Sequence, residues 1–454
     1  MRAIHKPLAL GVAACLLFGA CSSAANSSTA PASAAASSAP ASSAPASSAP
    51  SAGASSAPAA GASGVPSGAA ITVGELMPMT GKEGFVGEWF THGANAGVYD
   101  VNQNGGVLGH QLKIQLEDTA GDPVDAVTAF RTLMTYNPTF IVGPSSLEIQ
   151  GVMNLFQPSN VPDFMEGGTT ILDKMQNPYV FRVFPSDSVL LAAEAYYAIK
   201  DKGCTQAALM YQDSANSQGE VPPLVAAFTG NGGKILANIK LEPGKSSYLS
   251  EVATAFAGKP QCVFFHADPQ MASTLFANVK ELGHLNVPFI AGDTGASIQL
   301  ADAMGLQDAS KYMTGMNGAV PSGPAYSEFL NAYQAVWHTN KPLPASPAMY
   351  DAVILASLAM TDAKSTNPSV WLSKVTDVSN PPGTACYTYA SCVQDLQAGQ
   401  KINYSGASGN EDFNQYHNVF TPFDVVQFDT SGNLHNIYHV SSADIASFYG
   451  GSGS

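Results

Sequence analysis

Apolar positions in the central part of this chain switch repeatedly between the period of a strand and that of a helix. Between residues 112 and 116 they fall on every second position, which predicts a half-buried strand. Between residues 90 and 101 they fall at helical spacing, and Gly105 and Gly106 follow as a stop signal. Strand-like and helix-like segments therefore alternate from about residue 71 onwards.

The alternation predicts an α/β fold with two similar halves. Strand-like runs near residues 140, 207 and 263 are each followed by a helical run. This order is typical of parallel sheets covered by helices on both faces. Helices dominate after about residue 320, and a β-rich tail follows. We expect two doubly wound, Rossmann-like lobes that bind ligands beyond the carboxyl ends of their strands.

Residues 1–20 have the pattern of a secretory signal peptide. Arg2 and Lys6 precede an apolar run that is too short to span a bilayer comfortably. Ala20 and Cys21 then resemble the end of a bacterial lipoprotein signal, in which the cysteine is lipidated and becomes the new N-terminus. Cys15 fits the short motif better but would leave a very short apolar region, so we favour Cys21. An ordinary signal peptide is the alternative.

Residues 21–70 form a segment rich in Ser, Ala and Pro. From Ser22 to Ala70 no residue is charged or aromatic. Such a segment cannot bury enough apolar surface to offset its chain entropy. We therefore expect a disordered linker that tethers the following body to a membrane.

The charge of the chain restricts its partners. The formal net charge is −15, and loss of Arg2 and Lys6 with the signal takes it to −17. Such an acidic chain is poorly suited to nucleic acid or to a bare anionic membrane surface. After residue 70 no apolar run is long and charge-free enough to span a membrane. We expect a soluble body outside the cytoplasm.

Four cysteines lie beyond the signal region. An even set in an oxidising compartment predicts disulfides. Cys386 and Cys392 close a short loop. Cys204 and Cys262 each precede a strand-like run, so they lie side by side if these strands are neighbours in a parallel sheet. We predict the pairs 204–262 and 386–392.

A series of segments in the body resembles the type I periplasmic binding proteins, and within them the Leu/Ile/Val-binding branch that feeds ABC importers. The segments that carry the resemblance are ELMPMTGKEGFVGEWFTHGANAGVYDVNQNGGVLGHQLKIQLEDTAGDP, FIVGPSS, VPDFMEGGTT, YVFRVFPSD and GASGNEDF with FDVVQFDTSGNL. They cover essentially all of residues 71–440. The resemblance implies two Rossmann-like lobes joined by three hinge strands. Lobe 1 would comprise residues 71–186 plus 319–424, and lobe 2 residues 187–318 plus 425–450.

The resemblance implies that the loop GPSSLE holds a ligand carboxylate. Ser145 and Ser146 would offer hydroxyl and backbone N–H groups at a helix N-terminus, which can hold an anion without an arginine. Ser145 and Glu148 also match a capping box, so Ser145 could simply cap its helix. Both roles can coexist.

Further first-lobe positions follow from the same resemblance. Gly167 would present its backbone and Thr169 its hydroxyl to the ligand, with a plain turn as the alternative. Phe85 and Trp89 lie in the first loop and helix, and one of them would form an apolar wall. Simple packing is the alternative for Trp89.

The second lobe departs from the family pattern. Gln218 and Asp268 align with positions that carry other residue types in the family, and an aromatic is usual at the first. The acidic residue that pairs with an amino-acid ammonium falls near Asp293 and Thr294. Asp268 or Asp293 could neutralise an ammonium, or each could cap the helix that follows it. These departures leave the ligand open among amino acids, amides and other small carboxylates.

The resemblance implies an extracytoplasmic, lipid-anchored substrate-binding protein that delivers an amino acid or similar solute to an ABC permease. We expect a monomer without cofactor, metal or nucleic acid. A ligand-sensing surface receptor with the same fold is the alternative. An enzyme is less favoured, because the body contains no GxSxG, HExxH, P-loop or GxGxxG motif.

Overall fold

The computed structural model describes residues 68–81, 83–319 and 322–449. The predicted signal peptide, the predicted lipidation site Cys21 and the linker up to residue 67 lie outside the described residues. The described chain forms two large sheets flanked by helices, and each sheet packs against its own hydrophobic clusters. The predicted α/β architecture with parallel sheets is confirmed.

The first lobe is built on a five-stranded parallel sheet in the order β2-β1-β3-β4-β5. Its first elements are β1 (Ile71–Met77), α1 (Gly84–Gln103), β2 (Leu112–Asp118), α2 (Pro123–Met134), β3 (Phe140–Val142), α3 (Ile149–Val152), β4 (Asp163–Met165) and β5 (Val180–Arg182). Every residue of β1 is buried, as expected of a strand covered on both faces. The strand order reverses between β1 and β3, so a crevice opens at their carboxyl ends.

The second lobe repeats this arrangement. Its elements are α4 (Asp187–Lys200), β6 (Gln206–Gln212), α5 (Ala215–Gly230), β7 (Lys234–Leu241), α6 (Leu249–Phe256), β8 (Cys262–His266), α7 (Pro269–Glu281), β9 (Phe289–Ile290), α8 (Ile298–Met304), α9 (Leu306–Tyr312) and β10 (Met313–Gly318). The strands lie in the order β10-β9-β8-β6-β7, so here the order reverses between β6 and β8.

The chain then returns to the first lobe before it ends in the second. The remaining elements are α10 (Pro324–Trp337), α11 (Ser346–Ala363), α12 (Pro368–Trp371), α13 (Lys374–Ser379), β11 (Thr384–Cys386), α14 (Tyr389–Gln397), β12 (Ile402–Tyr404), β13 (Phe423–Phe428), β14 (Leu434–Val440) and α15 (Ser442–Phe448). Helices α10 and α11 share the core of β1 and α1. Strand β13 pairs antiparallel with β10 and with β14, and so extends the second sheet.

Segments that pass between the lobes lie side by side and are hydrogen-bonded to one another. The backbone N–H of Arg182, at the end of β5, donates to the carbonyl of His417 at 2.9 Å. The backbone N–H of Ala319, just after β10, donates to the carbonyl of Pro422 at 2.9 Å. We call residues 183–186, 317–319 and 419–422 the crossing segments.

Helices α1 and α11 approach each other closely because α1 carries glycine at their contact. A Cβ atom on Gly93 would lie 2.1 Å from the carbonyl oxygen of Ser346, and one on Gly97 would lie 2.9 Å from Cβ of Val353. The Ser346 hydroxyl donates to the carbonyl of Trp89 at 2.9 Å. The contact therefore places Trp89 beside the start of α11.

Two helices differ from the sequence prediction. The run VPPLVAAFTGNGG predicts a helix that starts at Val221, but helix α5 begins at Ala215, before the Pro222-Pro223 pair. The Ser214 hydroxyl accepts a hydrogen bond from the N–H of Ser217 and caps the earlier turn. Helix α3 is only four residues long and starts at Ile149, so the capping box predicted at residue 145 does not form.

Both predicted disulfides are present: Cys204 with Cys262, and Cys386 with Cys392. The first joins neighbouring strands, since Ala207 of β6 lies opposite Cys262 of β8 in the parallel register. The assumption that these strands are adjacent is therefore correct.

The two disulfides are expected to differ in their contribution to stability. They span 58 and 6 residues of chain, so loop-closure entropy predicts roughly 4 kcal/mol for Cys204–Cys262 and roughly 2 kcal/mol for Cys386–Cys392. Urea unfolding of the two double Cys→Ser variants should give the larger loss for the 204/262 variant. An equal loss, or free thiols in the denatured unreduced wild type, would contradict this assignment.

Candidate ligand-binding site

A cavity of about 400 Å³ opens beside the crossing segments, between the two lobes. Trp89 and Glu166 line it from the first lobe, and Asp293 lines it from the second. Phe184 and Asn317 contribute from the crossing segments. The volume and the mixture of apolar and polar walls suit a small organic molecule.

The structure brings Ser146, Gly167 and Thr169 together at the carboxyl ends of β3 and β4. The backbone N–H of Thr169 donates to Oγ of Ser146 at 3.2 Å. A Cβ atom on Gly167 would lie 3.0 Å from both the backbone nitrogen and Oγ of Ser146. The spacing predicted from the sequence therefore produces one compact cluster, and its contact with a ligand stays a prediction.

Ser145 lies between two carboxylates. Its hydroxyl is 3.1 Å from Oε2 of Glu83 and also hydrogen-bonded to Oε2 of Glu148. Glu148 is fully buried and accepts a further hydrogen bond from Thr119 at 2.8 Å. The Ser145 hydroxyl is thus engaged by acidic side chains, and the helix that follows is too short to act as an anion site.

The Glu83 carboxyl is half-buried, and its pKa is raised from 4.5 to about 7. Burial is the main cause, and the charge of Glu148 adds to it. The hydrogen bond from Ser145 and the charge of His266 oppose the shift in part. The Glu83 carboxyl therefore changes between its protonated and ionised forms near neutral pH.

In the second lobe, side chains predicted to contact ligand bond to nearby backbone. Gln218 Nε2 donates to the carbonyl of Gln212, at the end of β6, at 3.0 Å. Asp268 accepts from the N–H of Met271 at 2.9 Å and so caps α7. Thr294 Oγ1 donates to the carbonyl of Ala291 at 2.8 Å. These bonds match the capping alternative for Asp268, and the binding roles stay predictions.

Of the predicted wall and charge positions, Trp89 and Asp293 line the cavity. Phe85 packs edge-on against Trp89, with ring centroids 5.2 Å apart, and thus supports the wall from behind. Asp293 is exposed at the start of a short 3₁₀ turn after β9. Trp89 and Asp293 therefore line the cavity directly, whereas Phe85 packs against Trp89.

A group of buried carboxylates was missed by the sequence analysis. Glu166 follows β4, Asp187 and Glu194 lie seven residues apart on α4, and Glu220 lies on α5, all less than 9% exposed. Burial, followed by repulsion from neighbouring carboxylates that include Asp293, raises the pKa of Glu166, Asp187 and Glu194 well above their ordinary values. Their only signal in the sequence is position, since Glu166 directly follows a buried strand.

His266, at the end of β8, is hydrogen-bonded to one member of this group. Its Nδ1 lies 2.6 Å from Oε2 of Glu220. Burial opposes its protonation, but the charge and hydrogen bond of Glu220, with Asp293 and Asp187, outweigh burial and raise the pKa of His266 to about 9. His266 is therefore protonated at neutral pH and committed to Glu220.

Arg182 connects the loop after β4 to the residue that precedes the crossing segment 419–422. It is 1% exposed, and its Nη2 lies 2.8 Å from Oδ1 of Asp173. Its Nη1 donates to the carbonyls of Gly168 and Thr169 at 3.1 and 3.0 Å, and its Nε donates to Asn418 at 3.0 Å. Arg182 therefore holds the loop in place and does not face the cavity.

Neither a metal-binding cluster nor a membrane-spanning helix is found in the part of the chain that the structure describes. No three His, Cys, Asp or Glu side chains among them converge closely enough to hold a metal ion. No helix in this part of the chain has the length and apolar character needed to cross a membrane.

The family model for periplasmic binding proteins matches residues 70–433. The chain belongs to this family, as the resemblance in the sequence predicted. Family membership implies a location outside the cytoplasm.

Relatives extend the comparison. The Leu/Ile/Val-binding protein BraC3 of Rhizobium johnstonii is 24% identical over 320 residues, which are 65% of this chain and 84% of that protein. The chemotactic signal transduction system substrate-binding protein BasB of Halobacterium salinarum is 25% identical over 383 residues, covering 81% and 89% of the two chains. A leucine-binding protein of Thermotoga maritima shares the fold, with a TM-score of 0.69, 18% identity and coverage of 82% and 99%. These relatives are binding proteins, not enzymes.

The pKa of Glu83 predicts a pH-dependent stability. The unfolded chain releases this proton near pH 4.5 and the folded chain near 7, so the contribution is present below 4.5 and is lost as the pH rises through 7. The melting temperature of the ligand-free protein should fall over this range, and Glu83→Gln should reduce the fall. Glu88→Gln, on the same helix with a side chain 60% exposed, is the control. Equal slopes in both variants would exclude this role for Glu83.

Proposed function

We propose that the chain is an extracytoplasmic substrate-binding lipoprotein that delivers an amino acid or similar small polar solute to an ABC importer. The observation that carries the proposal is the cavity beside the crossing segments, with Trp89 and Glu166 on one side and Asp293 on the other. Relatives that cover most of the chain are named as binding proteins for Leu, Ile and Val. The identity of the solute of this chain must be inferred from the residues that line its own cavity, not from the names of its relatives.

Binding would proceed by closure of the lobes. Residues 71–186 plus 319–424 would move as one body, and residues 187–318 plus 425–450 as the other. Solute would bind first to the loops after β3 and β4, and the second lobe would then complete its desolvation. Contacts that exist only in the closed state would shift the population towards it. The closed form would dock on the permease as a monomer.

A lipid on Cys21 and the linker of residues 21–70 would add a tether. The linker contains no charged or aromatic residue, so it would act as a flexible leash. A tether raises the effective concentration of the binding protein at a membrane permease. Anchoring would therefore be part of the transport function.

A ligand-sensing receptor is the second candidate. BasB, which matches 81% of this chain, is named as part of a chemotactic signal transduction system. The same closed form would then dock on a sensor instead of a permease. Solute uptake in a strain that lacks this gene discriminates the two, because loss of uptake supports transport and intact uptake with loss of a response supports sensing.

Substitutions of one predicted loop residue and one cavity-lining residue test the position of the site. Thr169→Ala and Asp293→Ala should each weaken solute binding, measured by calorimetry with the solute that most raises the melting temperature. Neither should change the melting of the ligand-free protein much, because each removes only a small polar group. Asp308→Ala, on α9 away from the cavity lining, is the control. Unaltered affinity in both variants would place the site elsewhere.

Mass spectrometry of the mature N-terminus tests the anchor. A diacylated or triacylated N-terminal peptide that begins at Cys21 is expected. An unmodified peptide that begins at another residue would exclude tethering and would leave the binding function intact.

A further inference from the structure

The cavity is lined by charges of one sign. Glu166 and Asp293 line it, and the described lining residues include no Lys, Arg or His. The Glu166 side chain is 7% exposed and makes no hydrogen bond with any residue that the structure describes. Burial of a carboxylate without a partner is costly, so the pKa of Glu166 is raised well above its ordinary value and the group holds a proton in the ligand-free protein. Glu166 therefore lines the cavity as a carboxyl group that a bound cation would ionise.

Further acidic residues lie near this lining. Asp187 and Glu194 of α4 are buried, and Oε2 of Glu194 has no hydrogen-bond partner among the described residues. The nearby cations are already committed, Arg182 to Asp173 and His266 to Glu220. Burial and repulsion from Asp293 raise the pKa of Asp187 and Glu194 well above their ordinary values, so both hold protons in the ligand-free protein. A cation in the cavity would favour their ionised forms.

The loop that would hold a ligand carboxylate is unsuited to one. Ser145 has a single hydroxyl proton, and the carboxylates of Glu83 and Glu148 both lie within its reach. Ser145 is buried and is not among the residues that line the cavity. Its hydroxyl is engaged by the protein's own carboxyl groups and is not available as a donor to a ligand carboxylate.

Aromatic side chains complete the walls. Trp89, Phe184 and Tyr326 line the same cavity as Glu166. Their ring faces attract cations, and their carbon surface accommodates an apolar body. The lining thus combines acceptors for a positive head group with contact area for a hydrocarbon portion.

We propose that the cleft selects a small organic cation that lacks a carboxylate, such as an amine, amidine or guanidine. The proposal rests on the solute-binding function above and specifies its substrate class. Glu166 gives up its proton and accepts hydrogen bonds from the cationic head group, Asp293 contributes a second carboxyl group from the second lobe, and the engaged Ser145 hydroxyl is not available to an amino-acid carboxylate. Contacts from both lobes favour closure.

The test compares amino acids with their decarboxylated counterparts. Leucine is paired with 3-methylbutylamine, arginine with agmatine and lysine with 1,5-diaminopentane, and binding of each to the mature protein is measured by calorimetry. At least one amine should bind more tightly than its parent amino acid, by about tenfold or more. Tighter binding of every amino acid, or no binding of any amine, would overturn the proposal.

Glu166→Gln separates binding from folding. This isosteric change should weaken the best amine by roughly 30-fold or more, as expected for loss of one partner of a buried charge pair. It should leave the melting temperature of the ligand-free protein unchanged or raised, because it removes one of several repelling carboxylates. Glu242→Gln, in the second lobe with a side chain 73% exposed, is the matched control. Equal amine affinity in both variants would overturn the role of Glu166.

The outcomes distinguish this inference from the function on which it rests. Amino-acid preference together with loss of uptake in the deletion strain would overturn cation selectivity and retain the transport function. Amine preference with normal uptake of the same amine in that strain would support the cation site and exclude transport.

Discussion

The structure depends on one buried cation, Arg182. Its guanidinium is almost fully removed from water, and such a charge is tolerated only when its donors are satisfied. It meets this requirement by bonding Asp173, the carbonyls of Gly168 and Thr169, and the side chain of Asn418. One residue thereby joins the end of β5, the loop after β4 and Asn418, which precedes the crossing segment 419–422. The position of this loop relative to the crossing segments follows from this hydrogen-bond set.

The cleft contains buried carboxyl groups that have few basic side chains beside them. Glu166, Asp187 and Glu194 are buried close together, and the protein supplies too few cations to pair with them. Desolvation and mutual repulsion raise the pKa of all three, so the ligand-free cleft keeps them protonated. In the proposed binding of an organic cation, the ligand would supply the charge that favours their ionised forms.

The fold was largely predictable because it rests on local periodicity and on neighbouring strands. Alternation of strand and helix patterns predicted the parallel sheets, and Cys204 and Cys262 were assigned by assuming adjacent strands. The pattern failed where side-chain chemistry overrode it. Ser145 resembled a helix cap, but its hydroxyl bonds a carboxylate and the helix starts only at Ile149.

The sequence by itself determined the class of fold and the disulfide partners, because each depends on spacing along the chain and on rules of sheet topology. Only the tertiary structure decided the charge of the cleft. Glu83, Glu166 and Glu220 are far apart in sequence, and each is unremarkable in its own segment. Their effect arises from burial and mutual distance, which exist only once both lobes are folded and the crossing segments bring them together.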